Sequence, residues 1–286
     1  MLPRPQSYGP RDPGTLAAVR VSIADYEVAE PWAREGCYVC RPPARLGRPG
    51  PVLVSELDTD ADGWPQLCDH LVRLAAANPA GLLEALEVGP DPETKRVFLV
   101  TEYAEPAAAT DGSNPGWNLG TAMTAVAGVA RCAHALHEAG LTHGSIHSGR
   151  ILRAERATRL DLPRLDAPPG TITRTGPWAE MVAVSPELFA GETASRSSDV
   201  WALGATLHTL LSDRPLYTGI DRDEPVTAVQ RIMFTRPDLD PALPGSAAEV
   251  IAACLAFDPA ERPQTAAEVA DRLSGAVDSS GSETAR

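Results

Sequence analysis

Lysine is nearly absent from this sequence: Lys95 is the only one among 25 basic residues, and the others are arginines. The two cations are not interchangeable, because lysine carries a compact ammonium and arginine a planar guanidinium fork. A mechanism that needs an ammonium group therefore has a single residue to draw on.

Cysteine is also scarce, with five scattered over 286 residues. An odd, scattered set without a secretory signal is typical of reduced thiols in an intracellular protein. Cys37-Tyr-Val-Cys40 is the only C-x-x-C pair, whereas a structural zinc site takes four ligands. If the segment is a strand, its two sulfurs point to opposite faces. We therefore expect neither a metal site nor redox chemistry here.

The chain lacks both an excess of positive charge and a long apolar run. A formal charge of −13 argues against nucleic acid as the main partner, and no basic run suggests a membrane surface. No apolar stretch reaches the roughly 18 residues of a spanning helix. Pro3, Pro5 and Pro10 stand where a signal peptide would be apolar. We expect a cytoplasmic protein that binds neither nucleic acid nor membrane.

Hydrophobic periodicity changes between the two halves of the chain. Strand-like runs separated by Gly/Pro turns occupy residues 21–28, 37–40, 51–57, 83–88 and 96–103. A helix is predicted over 64–77, and the second half adds helices at 121–140, 199–211, 226–234, 247–257 and 265–273. Two short strands fit within 150–165.

This order of elements predicts an α+β fold with a small β-rich lobe on a larger helical lobe. The predicted divisions are a flexible leader 1–20, an N-lobe 21–103, a hinge or linker 104–118, a C-lobe 119–273 and a flexible tail 274–286.

The most informative segment is the polar loop His143-Gly-Ser-Ile-His-Ser-Gly-Arg-Ile-Leu152, which follows a predicted helix. It resembles the catalytic loop of protein kinases, where His-Arg-Asp precedes a Lys, an Asn and an Ile-Leu pair. The histidine and the Ile-Leu pair match. The Asp position holds Ser145, the Lys position His147 and the Asn position Arg150.

Three later segments strengthen the resemblance: Ser185-Pro-Glu187, Asp199-Val-Trp-Ala-Leu-Gly204 and the Cys254 to Pro263 stretch. Together they are similar to bacterial serine/threonine kinases over about residues 26–273. The resemblance implies a two-lobed fold, with a small antiparallel sheet and one main helix in the N-lobe and a mostly helical C-lobe.

The resemblance also implies structural roles for four residues. Glu187 and Arg262 would form a buried ion pair that locks the end of the activation segment to the C-lobe. Asp199 would accept hydrogen bonds from the loop backbone near His143.

By the same resemblance, residues 97–103 are the strand and hinge that hold adenine, with Thr101 as gatekeeper. The tentative nucleotide pocket consists of Gly36, Val39, Ser55, Thr101, Glu102 and Tyr103. The phosphate loop keeps only Gly36 and carries Glu35, and a lone Gly in a hairpin also fits a simple turn.

The chemical positions of a kinase are all altered. Ser55 replaces the phosphate-binding Lys, and Arg45 or Arg48 would have to reach inward to substitute for it. Asp69 takes the place of the helix Glu, one methylene shorter.

The metal-binding Asp-Phe-Gly is aligned with Arg164-Leu165-Asp166, which puts an arginine at the magnesium position. A register slip would instead bring Asp161 or Asp166 near the metal. His147 is either a weak substitute cation or a paired structural histidine.

We therefore predict a pseudokinase without efficient phosphoryl transfer, acting as a regulatory module for a protein partner or a fused domain. We expect this module to require no cofactor. The sequence does not decide whether it binds ATP, and we do not expect it to bind magnesium. Two alternatives remain. One is an atypical kinase using Asp161, Asp166 and Glu102 with Arg150 or Arg164 as phosphate clamps, and the other is a nucleotide switch without turnover.

Overall fold

The computed structural model describes residues 26–32, 36–57, 64–77, 79–90, 96–107, 117–154, 157–163, 178–220 and 224–283. The predicted leader 1–20, most of the linker and the segment around Arg164 and Asp166 lie outside these residues.

The N-terminal part is a five-stranded antiparallel sheet in the order β1-β2-β3-β5-β4. Its strands are β1 (Glu27–Pro31), β2 (Cys37–Arg41), β3 (Val52–Leu57), β4 (Ala85–Pro90) and β5 (Val97–Glu102). The helix α1 (Trp64–Ala77) connects β3 to β4, and its Leu71 and Leu74 are buried. The strands predicted at 37–40, 51–57, 83–88 and 96–103 and the helix at 64–77 are therefore present, with ends shifted by a few residues, whereas the strand predicted at 21–28 overlaps β1 only at residues 27–28 and its first five residues lie outside the described part.

The two faces of the sheet bury different sides of the strands. Cys37 joins one apolar cluster and Cys40 another, so the thiols of the C-x-x-C pair point to opposite faces, as predicted. Both thiols are free and buried, and burial raises the pKa of Cys40 to about 12. A buried, protonated thiol is chemically inert.

The C-terminal part is mostly helical and carries a second, three-stranded sheet. Its elements are β6 (Glu105–Pro106), α2 (Leu119–Glu138), β7 (Ile151–Ala154), β8 (Ala157–Leu160), α3 (Trp178–Ala183), α4 (Pro186–Phe189), α5 (Arg196–Leu211), α6 (Pro225–Phe234), α7 (Gly245–Cys254) and α8 (Ala266–Glu283).

Helix α5 forms the centre of this part, as its all-round apolar sequence predicts. Val200, Trp201 and Leu203 are fully buried. Gly204 allows α5 to approach α7 closely, because a Cβ built on it would lie 2.5 Å from the Cβ of Cys254.

Two predicted boundaries were wrong. Part of the predicted linker, β6, pairs with β7. The last helix continues to Glu283 instead of giving way to a flexible tail at 274. Ala276 and Val277 pack against the main core, and Ser274 Oγ accepts a 2.7 Å hydrogen bond from Arg131. These contacts favour the helix over the low intrinsic propensity of its Ser and Gly residues.

None of the helices described by the structure combines the length and the hydrophobicity needed to cross a bilayer.

Candidate functional site

Asp199 at the start of α5 anchors the loop that follows α2. Its carboxylate accepts hydrogen bonds from the backbone N–H groups of His143 (2.9 Å) and Gly144 (2.8 Å). His137 Nε2 lies 2.8 Å from the same carboxylate. Asp199 is only 1% exposed, so these partners compensate a charge that would otherwise be costly to bury. The loop is thereby held in place on the helical core.

His143 links this loop to the segment after β8. Its Nε2 lies 2.9 Å from the carbonyl oxygen of Asp161, and its Nδ1 accepts from the N–H of Ser145 at 3.3 Å. Because a carbonyl only accepts, Nε2 carries the proton. Burial lowers the pKa of His143 to about 4, although the Asp199 carboxylate acts in the opposite direction. His143 is therefore neutral at pH 7 and positions the backbone.

Arg150 and Asp161 form an ion pair beside this loop. Arg150 Nη1 donates to Asp161 Oδ2 at 3.0 Å and to the carbonyl of Leu162 at 2.8 Å. The other carboxylate oxygen accepts from the N–H of Leu162 at 2.9 Å. The side chains of the pair are 14% and 9% exposed. Both oxygens of the carboxylate are thus engaged by the protein itself.

This pair corrects the alignment that placed Arg164 at the magnesium position. Strands β7 and β8 form a short hairpin in which Ile151 faces Leu160, so the residue after β8 returns beside the residue before β7. Asp161 N–H accordingly donates to the carbonyl of Arg150 at 2.9 Å. Asp161 therefore stands next to the kinase Asn position, while Arg164 lies outside the described residues.

Ser145 occupies the place of the catalytic carboxylate. Its Oγ is buried without a hydrogen-bond partner among the described residues. It lines a small cleft together with Glu180, Ser198 and Asp199. A serine hydroxyl is a poor proton acceptor near neutral pH, so it does not replace a carboxylate as a general base.

His147, at the kinase Lys position, is 5% exposed. Its Nδ1 accepts a 3.2 Å hydrogen bond from the N–H of Gly149 and caps the short turn that leads to Arg150. This contact corresponds to the structural role considered for His147, and it uses the ring as an acceptor.

Ser55 lies on β3 directly opposite Cys37 of β2. Its Oγ is 3.1 Å from Cys37 Sγ. The two arginines considered as substitutes point elsewhere, because Arg45 pairs with Glu87 at 2.9 Å and Arg48 pairs with Glu84. Neither arginine supplies the missing charge next to Ser55.

Asp69 was assigned the role of the helix carboxylate, and the structure does not support that assignment. Asp69 is exposed, whereas Leu71 and Leu74 make the inward face of α1. The helical period places positions 69 and 71 about 200° apart, so they cannot share one face.

The predicted hinge is tied to both sheets. Glu102 Oε1 accepts from the N–H of Glu84 at 3.1 Å and lies 3.3 Å from Arg159 Nε. Thr101 is buried at 4% exposure and faces Leu53 across the strand pair. Gly36 has a φ of 73°, which fits a hairpin turn.

The structure places Trp32, which sequence reasoning missed, beside residues of the predicted nucleotide pocket. Trp32, just after β1, packs against the cluster of Cys37, Val39 and Leu53, which Tyr103 also contacts. Its Nε1 donates to the carbonyl of Ala104 at 3.1 Å. A bulky aromatic residue next to the predicted, glycine-poor phosphate loop was the signal available in the sequence.

Glu187 and Arg262 connect the start of α4 to the segment before α8. Two parallel hydrogen bonds of 2.6 and 3.0 Å join the groups. Arg262 also donates to the carbonyl of Ala256 at 2.9 Å and lies 4.8 Å from the ring centre of Trp201. Burial raises the pKa of Glu187, but hydrogen bonds from Arg262 and from the backbone, together with the positive charge of Arg262, outweigh this effect and the net shift of the pKa is downward.

Within the described residues, no three or more His, Cys, Asp or Glu side chains converge in the way a metal ion requires. The two lobes, the loop held by Asp199 and the Glu187–Arg262 pair together define a protein of the kinase fold.

Comparison with known proteins supports this class. No family model matches the chain. The DNA damage-responsive serine/threonine-protein kinase RqkA of Deinococcus radiodurans is 29% identical over 211 residues, covering 69% of this chain and 31% of RqkA. Serine/threonine-protein kinase PknK of Mycobacterium tuberculosis is 32% identical over 146 residues, covering 49% of this chain and 13% of PknK. The chain thus spans about a third or less of the length of these relatives.

Among solved structures, the PknI kinase domain of Mycobacterium tuberculosis matches with a TM-score of 0.65 and 20% identity. The match covers 89% of this chain and 96% of that domain. The predicted α+β, two-lobed fold is confirmed, and the chain is similar to protein kinases in both sequence and fold.

Proposed function

We propose that this chain is a catalytically impaired protein kinase-like domain that acts as a regulatory or protein-binding module. The observation that carries the proposal is the Arg150–Asp161 ion pair, 3.0 Å between Nη1 and Oδ2. It stands where a protein kinase holds magnesium between an Asn and an Asp.

Magnesium does not fit these residues. The ion takes oxygen ligands at about 2.0–2.1 Å in an octahedral shell. Here the position of the Asn oxygen is taken by a guanidinium, which stays positively charged in proteins and repels a divalent cation. The Asp161 carboxylate already has its two oxygens in contact with Arg150 and Leu162 N–H.

The residues at two further positions support the proposal that phosphoryl transfer is impaired. Ser145 offers a hydroxyl where the reaction needs a proton acceptor, and loss of a general base typically costs about 10²–10⁴ in rate. Ser55 lies against Cys37 where a kinase has its lysine. Lys95, the only lysine, lies outside the described residues.

The contacts that support the scaffold are kept beside this altered chemistry. Asp199 ties the loop to α5, and Arg262 ties Glu187 to the C-lobe. A fold maintained without its reacting groups supports a role for its surface, recognised by a partner protein or a fused domain.

The test is a phosphoryl-transfer assay with labelled ATP and either Mg²⁺ or Mn²⁺, using the chain itself and a generic basic protein as acceptors. We expect the wild type to match the Asp161→Asn variant at the level of the blank. Wild-type transfer that Asp161→Asn abolishes would reject the proposal and favour an atypical kinase.

A further inference from the structure

Trp32 lies just after β1 and joins two apolar clusters. It packs against Cys37, Val39 and Leu53 on the inner face of the sheet. It also packs against a second cluster that contains Ala104 and Leu152, from the hinge side and from β7. We call the site that the Trp32 side chain occupies, next to Cys37, Val39, Leu53 and Ala104, the interlobe pocket.

A hydrogen bond fixes the indole in this pocket. Its Nε1–H donates to the carbonyl of Ala104 at 3.1 Å, and Ala104 is fully buried. The backbone N–H of Trp32 donates to the carbonyl of Cys37 at 2.9 Å, so the main chain at the base of the side chain is held as well. Tryptophan has few rotatable bonds, so little conformational entropy is lost on fixing it.

The indole has the features of a pocket ligand. A flat aromatic ring lies between apolar side chains, and one ring N–H pairs with a backbone carbonyl. Small-molecule pockets are mostly apolar and orient their ligands with a few such polar contacts. Adenine and related heterocycles present the same combination of a flat face and an N–H donor.

We propose that the Trp32 side chain is an internal occupant of the interlobe pocket that excludes planar heterocycles, adenine nucleotides included, while it stays in place. The ring and an incoming heterocycle compete for the same apolar walls and the same Ala104 carbonyl. The apparent affinity of a ligand is its intrinsic affinity multiplied by the fraction of molecules whose pocket is open. The proposal concerns occupancy of the pocket and holds whether or not the chain transfers phosphate.

The test is calorimetric titration of the full chain with ADP in the absence of divalent metal. Trp32→Ala empties the pocket, and we expect this variant to bind ADP about 10- to 100-fold more tightly than the wild type. This ratio corresponds to a wild-type pocket that is open in ~1–10% of molecules. Trp32→Phe keeps a ring without the N–H donor and is expected to fall between the two. Val28→Ala is the matched control, since Val28 of β1 packs in the cluster on the opposite face of the sheet; it should match the wild type.

Equal affinity of the wild type and Trp32→Ala, or binding by neither, would overturn the proposal. A second measurement does not depend on how well Trp32→Ala folds. Subtracting the fluorescence of Trp32→Phe from that of the wild type isolates the emission of Trp32. We expect it to be blue-shifted and protected from acrylamide, and emission typical of water would contradict the proposal. Neither measurement reads phosphoryl transfer, so their outcome is separable from that of the proposed function.

Discussion

Arg262 and Glu187 are joined by two hydrogen bonds of 2.6 and 3.0 Å in the interior, where the arginine side chain is 0% and the glutamate side chain 11% exposed. The planar guanidinium donates one hydrogen bond to each oxygen of the carboxylate. Since the partners lie on separate segments, the pair connects the start of α4 to the segment before α8.

Glu187→Gln should destabilise the protein by about 3–5 kcal/mol, because it leaves the Arg262 charge buried and unpaired. Urea unfolding monitored by circular dichroism measures the change. Glu192→Gln removes an exposed carboxylate nearby and should change stability by less than about 0.5 kcal/mol. Equal effects of the two substitutions would show that the pair contributes no specific stabilisation.

Gly204→Ala and Gly128→Ala should have opposite effects. A Cβ on Gly204 meets Cys254 Cβ at 2.5 Å, so overpacking between α5 and α7 should cost about 1–3 kcal/mol. A Cβ on Gly128 in α2 meets nothing within 4 Å, so higher helix propensity should stabilise by up to about 1 kcal/mol. Melting temperatures of the two variants check the signs, and a stable Gly204→Ala protein would contradict the close packing.

The stability of the protein should fall as the pH decreases from 6.5 to about 4, partly because of His143. Its pKa is depressed in the folded state, so within this window the unfolded chain binds a proton that the folded chain does not. Protonation of His143 is expected to lower the free energy of unfolding by an amount of order 3 kcal/mol over this pH range.

His143→Asn should flatten that part of the pH dependence. Urea midpoints at pH 7, 5.5 and 4.5 give the slope for the wild type and the variant. Burial also lowers the pKa of His70 and His208, so the remaining slope should not vanish. Parallel slopes for the wild type and His143→Asn would contradict a neutral, buried His143.

Arg150→Asn should create a response to magnesium that the wild type lacks, because it frees Asp161 and supplies an amide oxygen. At a concentration ten times the Kd, bound metal stabilises by about 1.4 kcal/mol, equivalent to roughly 2–4 °C in Tm. Thermal-shift titration with MgCl₂ measures the response. Arg153→Asn removes the same charge from an exposed position on β7 and should show none. A shift in wild-type protein would mean that the ion pair does not exclude the metal.

Local patterns predicted most of the elements correctly. Helix α2 has a capped start, where Asn118 accepts from Thr121 N–H, and Gly140 follows its end with a φ of 70°. Helix α5 is buried on every side because its sequence is apolar on every side. Such features depend on spacing within one segment, which the sequence displays directly.

The geometry of the candidate site is set by contacts between segments that are far apart in the sequence. The order of motifs located the loop at His143 and identified Ser55, Ser145 and Arg150 as altered positions. The alignment of Arg164 with the metal-binding Asp was wrong and the alternative register, with Asp161 at that position, is the one observed, because the pairing of β7 with β8 decides which residue returns beside Arg150. Asp69 was misassigned because helix phase decides which side chains face inward.

By itself, the sequence determined most of the order of strands and helices, the resemblance to kinases and the altered residues Ser55, Ser145 and Arg150, since each of these follows from residue type and local spacing. Only the tertiary structure decided that Asp161 pairs with Arg150 and that Trp32 reaches the carbonyl of Ala104. Both contacts arise when remote segments pack together, and the hydrophobic pattern along the chain specifies which faces are buried but not which side chains meet there.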